Sequence, residues 1–308
     1  MTAAPGLPHG VTLLERGWLS SNNILIKGPT SCALIDSGYA THTGQTLALV
    51  LAALNGRALD VLVNTHLHSD HCGGNAALQA HYPKLHTLIP PGQAKFVATW
   101  NPYALSFTPT GQICEPFTFN ATLQPNTEIE LGGQLWQIHA APGHDPSSMI
   151  LFEPTSRLLL SADALWENGF GVVFPELDGA EAFTEVAQTL DLIESLDAKA
   201  IIPGHGPAFT DVPAALARAR KRLSSFVNDP AKHIRYAAKV LVKFKLLEAQ
   251  SIEFDALLAW ARATDLVAHL HQSDDSQTPF ETWVEQLVTE LVRSGAAVRD
   301  QSTVRNMN

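Results

Sequence analysis

T-H-L-H-S-D-H-C-G-G, residues 65–74, crowds three imidazoles and a carboxylate (His66, His68, Asp70 and His71) into six positions. The stretch follows directly on the apolar run 59–63, so a buried strand delivers the cluster, and Gly73 and Gly74 lead on into a helix. Side chains of this kind are costly to hold together unless a cation shares their lone pairs. Neutral imidazole and carboxylate suit zinc and its borderline neighbours. A strand that ends in such a cluster reads as an active-site loop on a rigid scaffold.

Working outward, further ligand types stand at the ends of other predicted strands. His144 lies in A-A-P-G-H-D after a strand over 135–140, Asp163 in L-L-L-S-A-D after a strand over 157–160, and His205 in P-G-H-G after a strand over 200–202. Side chains at the same end of successive strands converge in layered α/β folds. The remaining strands are expected at 11–14, 23–26, 32–35, 59–63, 85–89, 128–131 and 149–152, with Gly132-Gly133 turning a hairpin. Helices are expected at 43–54, from 75 to 80, at 91–100 and at 180–195, where Phe183, Val186, Leu190 and Ile193 recur near every 3.6 residues. Residues 101–125, with four prolines, read as a long irregular segment.

H-x-H-x-D-H at 66–71, P-G-H at 142–144, S-A-D at 161–163 and G-H-G at 204–206, with I-D-S-G at 35–38, resemble the metallo-β-lactamase superfamily over about residues 10–210. The resemblance implies an αβ/βα sandwich: two sheets face to face, helices outside, and a two-metal site along one edge. It implies that His66, His68 and His144 bind one divalent ion, that Asp70, His71 and His205 bind a second, and that Asp163 bridges the two. Asp36 matches a supporting acid that orients the ligand loop. The cofactors expected are two divalent ions, zinc first, with iron or manganese as alternatives. A metal-bridging hydroxide would then cleave an ester-like bond, with Asp70 and Asp163 in the catalytic centre. T-H-x-H-x-D-H-x-G-G resembles the glyoxalase II group of thioester hydrolases, which makes a thioester or related small acyl compound the first substrate class.

Composition narrows the field. With 308 residues, 45% hydrophobic and 16% charged, the chain can bury one large core or two ordinary ones. No apolar run is long enough for a membrane span, and the first ten residues carry neither a basic nor an apolar leader region. Cys32, Cys72 and Cys114 are too few and too scattered for a disulfide framework and agree with a cytoplasmic location, with Cys72 as a small filler beside the cluster. The net charge of −10 argues against broad nucleic-acid binding.

That charge is unevenly spread. Residues 1–212 hold 7 Lys/Arg against 19 Asp/Glu, whereas 213–308 hold 13 against 11. The pattern also changes after 212 to helices at 214–227, 231–249, 254–263 and 280–294, with a polar linker at 273–279. Two domains follow: a catalytic one over 1–212 and a small helical, winged-helix-like one over 213–308 whose wing is short or lost. Within the second, Arg235, Lys239 and Lys243 share one helical face, which either holds an anionic substrate group or is a solvated face. Trp166 and Phe170, with Phe174, are the expected pocket wall after Asp163.

Alternatives within the same resemblance are an endoribonuclease or phosphodiesterase, favoured by the basic helix, and a lactonase, which lacks its usual tyrosine here because Trp166 follows Asp163. A metal-bound scaffold with a nucleic-acid- or protein-binding tail is the non-enzymatic alternative. Monomer and homodimer are both left open.

Overall fold

The computed structural model describes residues 7–274 and 277–307, so the first ten residues are described only from residue 7 and the polar linker only outside 275 and 276. One sheet runs β1 (Val11–Leu14), β2 (Asn23–Lys27), β3 (Cys32–Ile35), β4 (Val61–Val63), β5 (His86–Ile89) and β6 (Ala121–Thr122), in that order. Its first three strands pair antiparallel and the rest parallel. A second sheet holds β7 (Thr127–Leu131), β8 (Gln134–Ala140), β9 (Met149–Glu153), β10 (Leu158–Ala162) and β11 (Ala200–Pro203), in spatial order β11-β10-β9-β8-β7. β10 and β11 are parallel, the others antiparallel.

Alternation along the strands explains the layering. Ile24, Ile26, Ala33, Ile35 and Val63 of the first sheet pack with Trp136, Ile138, Met149, Leu151, Leu158, Leu160 and Ile202 of the second in one buried cluster. The intervening Leu25, Cys32, Leu34 and Leu62 point the other way. They form a second cluster with Val50 and Leu54 of α1 (Thr43–Leu54) and Leu78 of α3 (Asn75–His81). The two sheets thus face each other, with helices on the outer surface. Gly132 and Gly133, at φ 59° and 76°, make the two-residue hairpin between β7 and β8. A glycine pair is suited to it because both central positions need positive φ.

Between the strands run α2 (Ser69–Cys72), α4 (Ala94–Ala98), α5 (Phe174–Leu177) and α6 (Ala182–Ser195). The helix expected over 91–100 is shorter, because Pro90-Pro91-Gly92 holds its opening in a turn and helix starts at Ala94. The strand expected from Leu59 pairs only from Val61.

The chain divides into two compact units, one of residues 1–105 and 113–223, the other of 106–112 and 224–308. α7 (Val212–Asn228) runs through the division. The second unit contains α8 (Pro230–Ala249), β12 (Ser251–Glu253), α9 (Phe254–Ala263), α10 (Asp265–Ser273), α11 (Phe280–Arg293), β13 (Ala297–Asp300) and β14 (Thr303–Asn306), with the strands in a sheet ordered β12-β14-β13. The β13–β14 hairpin stands where the sequence places a short or lost wing. Its strands are four residues each and interleave Arg299, Asp300 and Arg305 with the buried Ala297 and Val304, a pattern too brief to stand out in sequence. The segment 106–112, read as part of an irregular loop, belongs to this unit, where the Pro109 carbonyl accepts from Leu266 N–H at 3.0 Å.

Candidate metal centre

Five loops, after β3, β4, β8, β10 and β11, deliver the predicted site residues to one edge of the paired sheets. The structure brings His66, His68, Asp70, His71, His144, Asp163 and His205 together. Each of three groups has its ligating atoms within 4.8 Å of one another: His66 with His68 and His144, His66 with His71 and Asp163, and Asp70 with His71 and His205.

In the first trio His68 Nδ1 and His144 Nε2 face each other at 2.8 Å. His144 Nδ1–H donates to the Val172 carbonyl at 2.5 Å, which leaves Nε2 as a bare lone pair. His66 Nε2 is buried without a hydrogen-bond partner. Burial, together with the neighbouring imidazoles, holds His66 well below the usual histidine range. Burial and the proximity of His144 push His68 down to about 3. Neutral imidazoles with converging lone pairs are the form that metals bind.

The second trio, Asp70 with His71 and His205, sits in a negative field. His71 Nδ1 donates to Asp36 Oδ2 at 2.8 Å, so its Nε2, buried and without a hydrogen-bond partner, points inward. Burial alone would lower His71, yet Asp36, Asp163 and Asp70 outweigh it and hold its protonated form well above the ordinary range. His205 Nε2 lies 3.0 Å from Asp70 Oδ2. Asp163 stands between the trios, with Oδ2 3.4 Å from His144 Nε2 and 3.8 Å from His205 Nε2, and Oδ1 3.5 Å from His71 Nε2. Burial raises Asp163, but His205 and His71 more than reverse that and keep it ionised. Gly204 makes this approach feasible, since a Cβ there would stand 2.1 Å from Asp163 Oδ1.

These residues fit a pair of divalent ions. The donors are nitrogen and oxygen throughout, two inward imidazole nitrogens are orphaned, and the field already stabilises positive charge at the centre.

Asp36 makes no approach to the centre itself. At φ 58° it accepts from Thr65 N–H (2.9 Å), Thr65 Oγ1–H (2.8 Å) and His71 Nδ1–H, tying the end of β3 to the ligand loop. Asn64 Nδ2 adds a bond to the His71 carbonyl at 3.1 Å, and Asn75 Nδ2 holds Asn64 at 2.7 Å.

Aromatic rings flank the centre. Phe174 stands edge-on to His68 and His144 at 5.0 and 5.7 Å. Trp166 lies edge-on to His205 at 5.6 Å and donates its indole N–H to Asp163 Oδ1 at 3.1 Å. Trp18, which the sequence did not single out, stacks on His205 at 5.3 Å and remains 53% exposed. Its loop lies about fifty residues before the ligand cluster, and a lone Gly-Trp there carries no pattern. Asp145 is a second such residue: it is buried, pushed up to about 6 by that burial, and sits 3.9 Å from His68 Nε2. Phe170, expected in the pocket wall, is 1% exposed beneath the Arg222 guanidinium and has no free face for a ligand. Arg235 and Lys239 bind Glu290 at 2.7 and 3.1 Å, and Arg235 also approaches Asp274, so their charges are met inside their own unit.

The family model described as the metallo-β-lactamase superfamily matches residues 16–205. The chain belongs to this superfamily. A solved metallo-β-lactamase family protein of Thermus thermophilus superposes with a TM-score of 0.59 at 17% identity, covering 96% of this chain and 98% of that one, a likeness of fold. Among sequence relatives, the type A flavoprotein fprA of Rhodobacter capsulatus is 25% identical over 72% of this chain and 53% of its own length. The hydroxyacylglutathione hydrolase of Yersinia enterocolitica is 28% identical over 52% of this chain and 53% of its own. The chain thus spans about half the length of these curated relatives. No helix among the described residues is long and apolar enough to cross a membrane.

Proposed function

We propose that this chain is a dinuclear metal-dependent hydrolase acting on an ester-like bond, with a thioester or related acyl compound as its substrate class. The observation that carries this reading is the pair of trios with Asp163 between them. His66, His68 and His144 would hold one ion, Asp70, His71 and His205 the other, and Asp163 both. Zinc suits the donor set best, with iron or manganese as alternatives. Bound divalent ions supply Lewis acidity and make water a nucleophile near neutral pH.

The chain's own residues do the rest. Asp36 and the Val172 carbonyl fix the tautomers of His71 and His144. Asp70 Oδ2, 3.0 Å from His205 Nε2, would share the second ion with it. Phe174 and Trp18 wall the centre with apolar surface, which favours an acyl group over a highly charged one. The likeness to a hydroxyacylglutathione hydrolase supports the thioester class.

Phosphodiester cleavage is the second reading, favoured by the β13–β14 hairpin that follows α11 as a wing would. Against it, residues 224–308 hold 9 Lys/Arg and 11 Asp/Glu, and α11 carries Glu281, Glu285 and Glu290. Turnover of thioester, lactone and bis-nitrophenyl phosphate probes, with and without chelator, tests the proposal. The expected result is chelator-sensitive thioester cleavage well above the other two. Thioester turnover that survives complete metal removal would overturn it.

A further inference from the structure

Trp166 sits on a tight turn built with unusual care for a surface loop. The Trp166 N–H donates to the Gly169 carbonyl at 2.6 Å, closing residues 166–169. Two arginines one helical turn apart on α7 grip that turn from outside: Arg218 Nε donates to the Glu167 carbonyl at 2.7 Å, and Arg222 donates to the Phe170 carbonyl at 3.0 Å. Gly169 sits at φ 119°, a backbone conformation that side chains with a Cβ rarely adopt, with the Arg222 guanidinium packed against it. Three basic residues of α7 thereby have work inside the first unit, since Arg220 pairs with Asp191 and Glu194 at 2.8 Å each.

What the turn presents is the indole N–H, 3.1 Å from Asp163 Oδ1. The same oxygen is closed in by Gly204 on its other side. Oδ1 is thus pinned, and Oδ2 is left directed at His144 and His205, one residue from each trio.

We propose that Trp166 is a positioning residue for the metal centre: its indole N–H, held by the Arg218–Arg222 clamp, fixes the rotamer of Asp163 so that its carboxylate faces both trios. The proposal rests on the reading of Asp163 as the shared ligand. A hydrogen bond to an ionised carboxylate is among the stronger ones, and partners of this sort tune metal affinity by roughly 10- to 100-fold. Trp166 is half-buried and its ring also faces Trp18 and His205, so ring packing and N–H donation must be separated.

The test titrates zinc into metal-free full-length protein against a chromophoric chelator, and records the visible spectrum of the cobalt(II)-loaded form. Trp166→Phe keeps an aromatic ring and removes the donor, whereas Trp166→His keeps a ring N–H. Thermal melts of the metal-free proteins check that each variant folds. The expected result is two ions per wild-type chain, roughly 10-fold weaker binding with an altered cobalt spectrum in Trp166→Phe, and substantial recovery of both in Trp166→His. Two ions held as tightly by Trp166→Phe as by the wild type would overturn the proposal alone. Equal weakening in both variants would also overturn it and assign the ring to packing. A wild-type chain that binds fewer than two ions would sink the reading of Asp163 and the proposal together.

Discussion

His68 Nδ1 and His144 Nε2 lie 2.8 Å apart, with the proton of His144 already committed to the Val172 carbonyl. His144 Nε2 is therefore a bare acceptor, and a cation held there would draw on it together with His68. His68→Ala would remove a proposed ligand, and elemental analysis should find about one ion fewer per chain, together with loss of turnover. Asp36 acts differently. Asp36→Ala leaves every proposed ligand in place but frees the Nδ1–H of His71 and orphans the buried Thr65 N–H. Metal affinity should fall roughly 10- to 100-fold by chelator competition. Stability should fall by about 1–3 kcal/mol in denaturant unfolding, the cost of an unsatisfied buried donor.

At the scale of the element, α8 is instructive because most of its conspicuous charge is structural. Arg235 and Lys239 meet Glu290 of α11, and Lys243 donates to the Ala296 and Met307 carbonyls and to Asn306 Oδ1, so the face reads as a brace between helix and hairpin. On the same helix His233 is buried, its ring 4.9 Å from that of Phe226, and burial pushes its pKa from the ordinary 6.5 down to about 4. The unfolded chain takes up this proton near pH 6.5, while the folded chain refuses it until about pH 4. The contribution is therefore complete above pH 6.5 and is lost as pH falls from 6.5 to 4, by up to roughly 3 kcal/mol. Urea unfolding across that window should show the decline, and His233→Leu should flatten its share. An unchanged slope in the variant would refute the assignment.

For the whole molecule, the proposed ligands come from positions spread between 66 and 205, so binding ions there requires most of the first unit to be folded. Ligand binding to the folded state alone stabilises it by mass action, about 4 kcal/mol when free ion stands 1000-fold above Kd. Stripping the metal should lower the melting temperature of the transition that reports the first unit, and readdition should restore it. Because imidazoles must shed protons to bind, the gain should shrink as pH falls below the histidine range. Calorimetry with and without chelator, at a pH above that range and again below it, measures both.

Much of this was legible along the chain. The strands Val11–Leu14 and Cys32–Ile35 and the helices Thr43–Leu54 and Phe254–Ala263 begin and end where periodicity and punctuating glycines place them. These local patterns reflect which face each side chain must bury, and that is written residue by residue. The H-x-H-x-D-H run and its partners at strand ends pointed to the candidate site for the same reason: strands fix the end at which loops emerge. Helix α10 and the β12–β14 sheet were not legible, because short half-polar segments acquire their conformation from the neighbours they pair with. Nor could Trp18 over His205, the indole bond from Trp166 to Asp163, or the clasp of Arg235 by Glu290 be read in advance. Each depends on side-chain packing, and no periodicity encodes which neighbour will fill a given space. Order along the chain decided which elements and donors exist; packing in three dimensions decided which of them meet.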